Sequence, residues 1–215
     1  MMSNFLLYLV THRENLTPNR FHNKIVEAIE GGVTMVQLRE KCISEEEYIK
    51  RGIEIKEILD KYEIPLIIND NPYVARKVGA RGVHLGQSDC SVEEARNILG
   101  KDAIIGLSIE NISQVEEANK ARVNYIGVGP VFPTSTKKDA VIPLGIEAVK
   151  IIRSIVSKPL LAIGGINKHN VSKVIETGID GICVSSAILA PEDTKRAAQE
   201  LKTIITNEIY HGAVR

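Results

Sequence analysis

The chain has 215 residues, 27 basic and 27 acidic side chains, no formal net charge, no tryptophan and only 4% aromatic residues. A balanced charge with few stacking rings argues against nucleic acid or an anionic membrane as partner, and no apolar run approaches the roughly 20 residues of a membrane span. Cys42, Cys90 and Cys183 are far apart and form no CxxC pair, which fits reduced thiols in a soluble, cytoplasmic protein better than a disulfide or zinc framework.

Short apolar runs alternate along the chain with longer amphipathic ones. Strands are predicted near 5–10, 34–38, 65–69, 82–85, 103–107, 124–128, 160–163 and 181–184. The first run lacks the basic flank of a signal sequence and reads as a strand. Helices are predicted over Ser44 to Leu59, Ser91 to Leu99, Ile112 to Lys120, Gly145 to Ile155, His169 to Glu176 and about Asp193 to Ile209. Ser44 with Glu47 has the spacing of a capping box, as does Ser91 with Glu94. Gly31, Gly32, Gly79, Gly100 and Gly178 follow helical stretches, where left-handed caps are wanted. Tyr210 to Arg215 reads as a frayed end.

Strand, crossover helix, strand implies a parallel sheet. Eight such units in one domain over 1–215 predict a (β/α)8 TIM barrel. A doubly wound open sheet is the alternative, but no glycine-rich nucleotide turn follows the first strand. Chemistry in such barrels collects at the C-terminal strand ends. Strand two runs into Gln37-Leu38-Arg39-Glu40-Lys41, whose Gln37, Arg39 and Lys41 share a side if the strand continues. Those groups are either a clamp for a polyanion or a solvated run paired with Glu40 and Glu45.

Asp70 and Asp89 follow strands three and four. Each reads as a helix cap or as a ligand for Mg2+, which takes one or two carboxylates plus phosphates and waters. His84 lies among apolar residues and reads as a hydrogen-bonded barrel histidine. Strand six leads into GPVFPTSTK (129–137), where prolines stiffen a backbone bearing three hydroxyls and a lysine. Gly165, Ser185 and Ser186 follow strands seven and eight, where helix N-termini are expected to hold phosphate. The sum predicts two phosphorylated ligands, one a diphosphate with Mg2+. No Ser-His-Asp or Cys-His set is evident.

VQLREK (36–41), IIND (67–70), GVHLGQSD (82–89), IGLS (105–108), YIGVGPVFPTSTK (125–137), AIGGI (162–166) and VSSAI (184–188) resemble thiamine-phosphate synthases, in the family's order and along nearly the whole chain. The resemblance implies a Mg2+ enzyme that joins hydroxymethylpyrimidine diphosphate to thiazole phosphate and releases pyrophosphate. It implies diphosphate binding by Gln37, Arg39 and Lys41 within the 37–41 stretch that includes Leu38 and Glu40. Asn69 and Ser108 would hold the pyrimidine, and Asp70 and Asp89 the metal. Thr134, Ser135, Thr136, Gly165, Ser185 and Ser186 would hold the thiazole phosphate, and Lys137 the diphosphate; Lys137, Ser108 and Arg39 would be catalytic. Two positions depart from the family pattern. Asn71 stands where an arginine is frequent, and Ser185 where a small apolar residue is frequent.

Three rivals share parts of this pattern. A thiazole tautomerase resembles it but carries a histidine in the strand-six loop and has no use for a diphosphate clamp. A non-catalytic binder of thiamine precursors needs only the phosphate site. A sugar-phosphate isomerase on the same barrel leaves the carboxylate pair without a role. The oligomeric state, a homodimer included, is not legible.

Overall fold

The computed structural model describes residues 5–13, 16–134 and 142–212, the last three as backbone only. Ser135, Thr136 and Lys137 lie outside the described residues. Eight parallel strands close into a barrel in chain order, each paired with the next and β8 paired with β1. They are β1 (Leu7–Val10), β2 (Met35–Leu38), β3 (Leu66–Asn69), β4 (Gly82–Leu85), β5 (Ile104–Ile109), β6 (Tyr125–Val128), β7 (Leu160–Ile163) and β8 (Gly181–Val184). Closure excludes the open doubly wound sheet.

Helices α1 (Pro18–Glu30), α2 (Glu45–Asp60), α3 (Pro72–Val78), α4 (Val92–Leu99), α5 (Val115–Lys120), α6 (Gly145–Ile155), α7 (Val171–Ile175), α8 (Ser186–Leu189) and α9 (Thr194–Gly212) surround it. Their starts follow from hydroxyl and amide caps that accept an otherwise orphaned N–H. Ser44 accepts from Glu47 N–H at 3.2 Å and Ser91 from Glu94 N–H at 3.1 Å. The Ser44 box is only half made, because the Glu47 carboxylate bonds Arg51.

The sequence reading names no helix over α1, although Thr17-Pro18 carries a good start signal, and anticipates α3 only as a helix start at Asp70-Asn71-Pro72 with Asp70 as the candidate cap. Thr17 accepts from Arg20 N–H and Asn71 from Val74 N–H, with proline in the first turn. The predicted helix over 112–120 opens as a 3-10 turn, Ile112–Gln114. The chain end is no loose tail up to Gly212, since α9 runs that far. Gly32, Gly79, Gly100 and Gly178 have positive φ as expected, whereas Gly31 is right-handed at φ −80°.

Two apolar layers result. Residues of alternate parity, such as Leu9, Val36, Ile68, Val83 and Ile105, pack outward against the helices. Tyr8, Val10, Met35, Ile67, Tyr125, Leu161 and Cys183 fill the barrel. The inward positions that are polar, Gln37, Asn69, His84 and Ser108, cluster toward the C-terminal ends. Among the described residues no helix is long and apolar enough to cross a membrane.

Candidate active site

The end of β2 does not continue as a strand, so alternation fails to align Gln37, Arg39 and Lys41. The strand stops at Leu38. Gln37 points into the barrel and donates from Nε2 to the Tyr8 hydroxyl at 2.8 Å. Leu38 is buried against the helices, and its carbonyl accepts from Tyr48 OH. Arg39 and Lys41 line a cleft of about 460 Å³ with His12, Arg13, Glu40 and Arg51. The backbone turns here because Arg39 N–H donates to the buried Thr11 hydroxyl.

Among the described residues, no ion pair joins Arg39 or Lys41 to Glu40 or Glu45. Glu40 pairs with Arg51 of α2 at 2.8 Å, and Lys41 pairs with Asp70. The other Glu40 oxygen is buried without a partner among the described residues.

Asp70 and Asp89 are brought together from the ends of β3 and β4, and neither caps a helix. Asn71 and Ser91 take those places. Asp70 has φ +67°, a left-handed conformation that a short polar residue tolerates best. Its N–H donates to the His84 carbonyl at 2.8 Å, tying β3 to β4. Asp89 accepts from Gly86 N–H at 2.7 Å. Burial pushes the Asp89 carboxyl up, and the facing Asp70 charge pushes it further, against the Gly86 N–H and Lys41.

These two like-charged oxygen donors, with no third His, Cys, Asp or Glu grouped with them among the described residues, suit a hard cation that keeps exogenous oxygen ligands. Mg2+ fits that description. Neighbouring Asn69 is fixed by Tyr48, whose hydroxyl donates to the Asn69 carbonyl and accepts from its N–H.

Ser108 lies inside β5, with its hydroxyl 2.8 Å from His84 Nε2. The other ring nitrogen lies 2.9 Å from Tyr125 OH, and Tyr125 OH lies 3.0 Å from Tyr8 OH. A Ser–His pair therefore exists that the sequence reading missed, but a phenol orients it where a triad has a carboxylate. Gln87 donates to the Ser108 carbonyl at 2.6 Å. The missed signal was inward glycine: a Cβ on Gly106 would sit 2.1 Å from the Tyr125 ring and 2.5 Å from His84 Nδ1.

Beyond β6, Val131 and Phe132 donate to the carbonyls of Ile163 and Gly164, which fastens the root of the 129–137 loop to the end of β7. Thr134 is half-buried there. Gly165 has φ +65°, and a Cβ on it would meet the Pro133 carbonyl at 2.5 Å. Its own carbonyl accepts from Asn170 at 2.9 Å. The expected helix N-terminus at these glycines is absent, because α7 starts only at Val171 and the intervening turn is held by Asn167 and Asn170. After β8, Ser185 precedes the single turn of α8, and its hydroxyl is buried without a partner among the described residues. Ser186 opens that turn.

Residues 7–188 match the family model described as thiamine monophosphate synthase. The chain belongs to the thiamine monophosphate synthase family. It is 46% identical over 201 residues to the thiamine-phosphate synthase of Clostridium botulinum strain 657, covering 94% of this chain and 98% of that one. It is 48% identical over 195 residues to the Clostridium tetani thiamine-phosphate synthase, covering 91% and 93%. Among solved structures, the thiamine phosphate pyrophosphorylase from Pyrococcus furiosus superposes with a TM-score of 0.87 at 34% identity, covering 97% and 98%. As a member of this family the chain is a transferase.

Proposed function

We propose that the chain condenses 4-amino-2-methyl-5-(diphosphooxymethyl)pyrimidine with thiazole phosphate in a Mg2+-dependent reaction, giving thiamine phosphate and pyrophosphate. The observation that carries this reading is the meeting of Asp70 and Asp89 beside Lys41, next to the Arg39 cleft. On the opposite side of the barrel mouth stand Gly165, Ser185 and Ser186. A tautomerase or a simple phosphate binder has no use for the first group.

In this reading Asp70 and Asp89 hold Mg2+, which would neutralise charge on the departing diphosphate. Gln37 near the end of β2, Arg39 and Lys41 just after it, and Lys137 bind that diphosphate. Asn69 and Ser108 hold the pyrimidine. Thr134, Ser135, Thr136, Gly165, Ser185 and Ser186 hold the thiazole phosphate.

The substitution is dissociative. The bond from the pyrimidine methylene to the diphosphate oxygen breaks with its electron pair leaving on pyrophosphate. The electron-rich aminopyrimidine stabilises the cationic carbon, and the thiazole nitrogen then donates its lone pair to it. The chain's own work is positioning and charge neutralisation, so no side chain need act as nucleophile. We further infer one domain over 1–215, acting in the cytoplasm on these two small phosphorylated substrates.

Pyrophosphate release from the pyrimidine diphosphate tests the reading, measured with and without thiazole phosphate and with and without Mg2+. Release that needs all three components, with thiamine phosphate appearing in step, is the expected result. Thiazole phosphate binding without any release would refute it and favour the tautomerase or the binder.

A further inference from the structure

Helix α2 holds one half of the site from outside the barrel wall. Tyr48 and Arg51 lie three residues apart and so share a face of that helix. Tyr48 is buried in the outer apolar layer with Leu38 and Ile68, which are the last paired residues of β2 and β3. Its hydroxyl donates to the Leu38 carbonyl at 2.7 Å and accepts from Asn69 N–H at 3.2 Å. The same proton is shared with the Asn69 carbonyl at 3.1 Å. Burial holds the phenol well above its ordinary range, so that proton is present at neutral pH.

The hydroxyl stands where two arms of the site part. One arm leaves Leu38 and carries Arg39 and Lys41. The other leaves Asn69 and carries Asp70. Each arm has an outer fastening of its own: Arg39 N–H donates to the Thr11 hydroxyl, and Asp70 N–H to the His84 carbonyl. Neither of those bonds fixes one arm against the other. Tyr48 does so at their roots, and the Lys41–Asp70 pair spans their tips. The tip contact is half exposed, and it is given up once a diphosphate engages Lys41 and a cation engages Asp70. The root contact then remains to set the spacing. Arg51 adds a second anchor to the first arm. Its guanidinium joins Glu40 and Glu47, each at 2.8 Å. Glu40 lies between Arg39 and Lys41, and its buried charge is costly unless paired, so the turn is drawn onto α2 between its two cations.

We propose that Tyr48 is a positioning residue for the pyrimidine diphosphate and its Mg2+, a role that rests on the proposed function and deepens it. Its hydroxyl holds the Arg39–Lys41 arm at a fixed separation from Asp70, with Arg51 as the second anchor of that arm. Groups that grip one ligand together lose on the order of 10²-fold in rate when displaced by about 1 Å. Gly165, Ser185 and Ser186 stand across the barrel mouth, so the bracket governs one substrate and not the other.

Tyr48→Phe tests this, because it keeps the buried ring and deletes only the oxygen. One readout is the Kd of the full chain for pyrophosphate with Mg2+, by calorimetry; the other is KM for each substrate. The Kd should weaken about 10-fold, and KM for the pyrimidine diphosphate should rise with it, while KM for thiazole phosphate stays within about 2-fold. Ile55→Val is the stability control: it trims another buried residue of α2 without removing a hydrogen bond, and should leave all three constants near wild type. Arg51→Lys covers a Tyr48 variant that folds poorly. It should weaken the same Kd about 3-fold and add nothing in a Glu40→Ala background, where that anchor is already gone. An unchanged pyrophosphate Kd in Tyr48→Phe overturns the bracket. So do equal shifts in both KM values, the same shifts from Ile55→Val, or an Arg51→Lys effect that persists without Glu40. A wild-type chain that binds no pyrophosphate with Mg2+ refutes the diphosphate reading and the bracket with it, a result distinct from any difference between variants.

Discussion

Replacing Asp89 by asparagine should make the metal-free protein more stable and nearly inactive. Asparagine keeps the size and an oxygen that accepts from Gly86 N–H, now at 2.7 Å from the carboxylate. It removes the negative charge that burial and Asp70 make unfavourable. Because the site is half exposed, the gain is on the order of 0.5–1 kcal/mol after solvent screening, or about 1–4 °C in Tm for a chain of this size.

The raised carboxyl sets the pH dependence. The folded state holds the Asp89 proton more tightly than the unfolded chain, so wild-type stability falls as pH rises through the window above the ordinary Asp range, near 3.9. The variant's advantage should therefore be larger at pH 7 and shrink as pH falls toward the ordinary Asp range, where the Asp89 carboxyl takes up its proton. Mg2+ should reverse the order. At ten times its Kd it adds about 1.4 kcal/mol to a wild type that binds it, and little to the variant. Turnover should drop on the order of 10²–10³. Thermal melts in chelator at pH 7 and pH 4, then with Mg2+, decide the matter. A variant that melts below wild type at pH 7 in chelator, or an offset unchanged at pH 4, would show that the two carboxylates are not a repulsive pair.

Lys137→Ala should lower kcat on the order of 10²–10³ with the melting temperature unchanged, as loss of one electrostatic contact to a leaving group does; steady-state kinetics check it. Gly165→Ala forces a Cβ to 2.5 Å from the Pro133 carbonyl at φ +65°. It should raise KM for thiazole phosphate about 10-fold or more while KM for the pyrimidine diphosphate moves little. Arg96→Ala should act on stability alone. The buried guanidinium donates to the carbonyls of Gly100, Lys101, Ala103 and Arg122 and to Asn124 Oδ1, at the N-terminal ends of β5 and β6. Its loss should cost about 2–4 kcal/mol in denaturant melts and leave kcat/KM near wild type, because that end of a barrel carries stability and not chemistry.

The strands were legible because each is a four- to six-residue apolar run bounded by polar residues, and closure followed from their number. Helices with Ser caps were legible too. Helix α1 was passed over, while the start of α3 was anticipated at Asp-Asn-Pro with the cap assigned to Asp70, one residue before the Asn71 that takes it. At the site, the polar strand ends announced themselves residue by residue, but not their partners. Whether Asp70 capped α3 or faced Asp89 depended on which neighbour took the cap, a contest between adjacent residues that spacing cannot decide. The interior run was illegible for a different reason. Tyr8 and Tyr125 sit in apolar strands where a tyrosine reads as packing, and only barrel closure brings residues 117 positions apart to 3.0 Å.

The departure at position 71 shows how the local structure serves the site. An asparagine there adds no second cation to the Lys41 already beside the carboxylates, yet its side chain accepts from Val74 N–H at 3.0 Å and starts α3. Pro72 follows, which disfavours the right-handed helical conformation at Asn71 and keeps that residue extended. The helix thus cannot begin earlier, and Asp70 is left outside it. With its N–H on the His84 carbonyl and its backbone left-handed, Asp70 turns back toward β4. That turn is what lets a residue following β3 meet Asp89, which follows β4. Asn71 accordingly acts on the Asp70–Asp89 pair through backbone geometry. An Asn71→Ala variant, which removes the cap but no charge, should weaken Mg2+ binding as well as cost about 1 kcal/mol of stability. Loss of stability with Mg2+ affinity unchanged would mean that Asp70 holds its conformation without the cap.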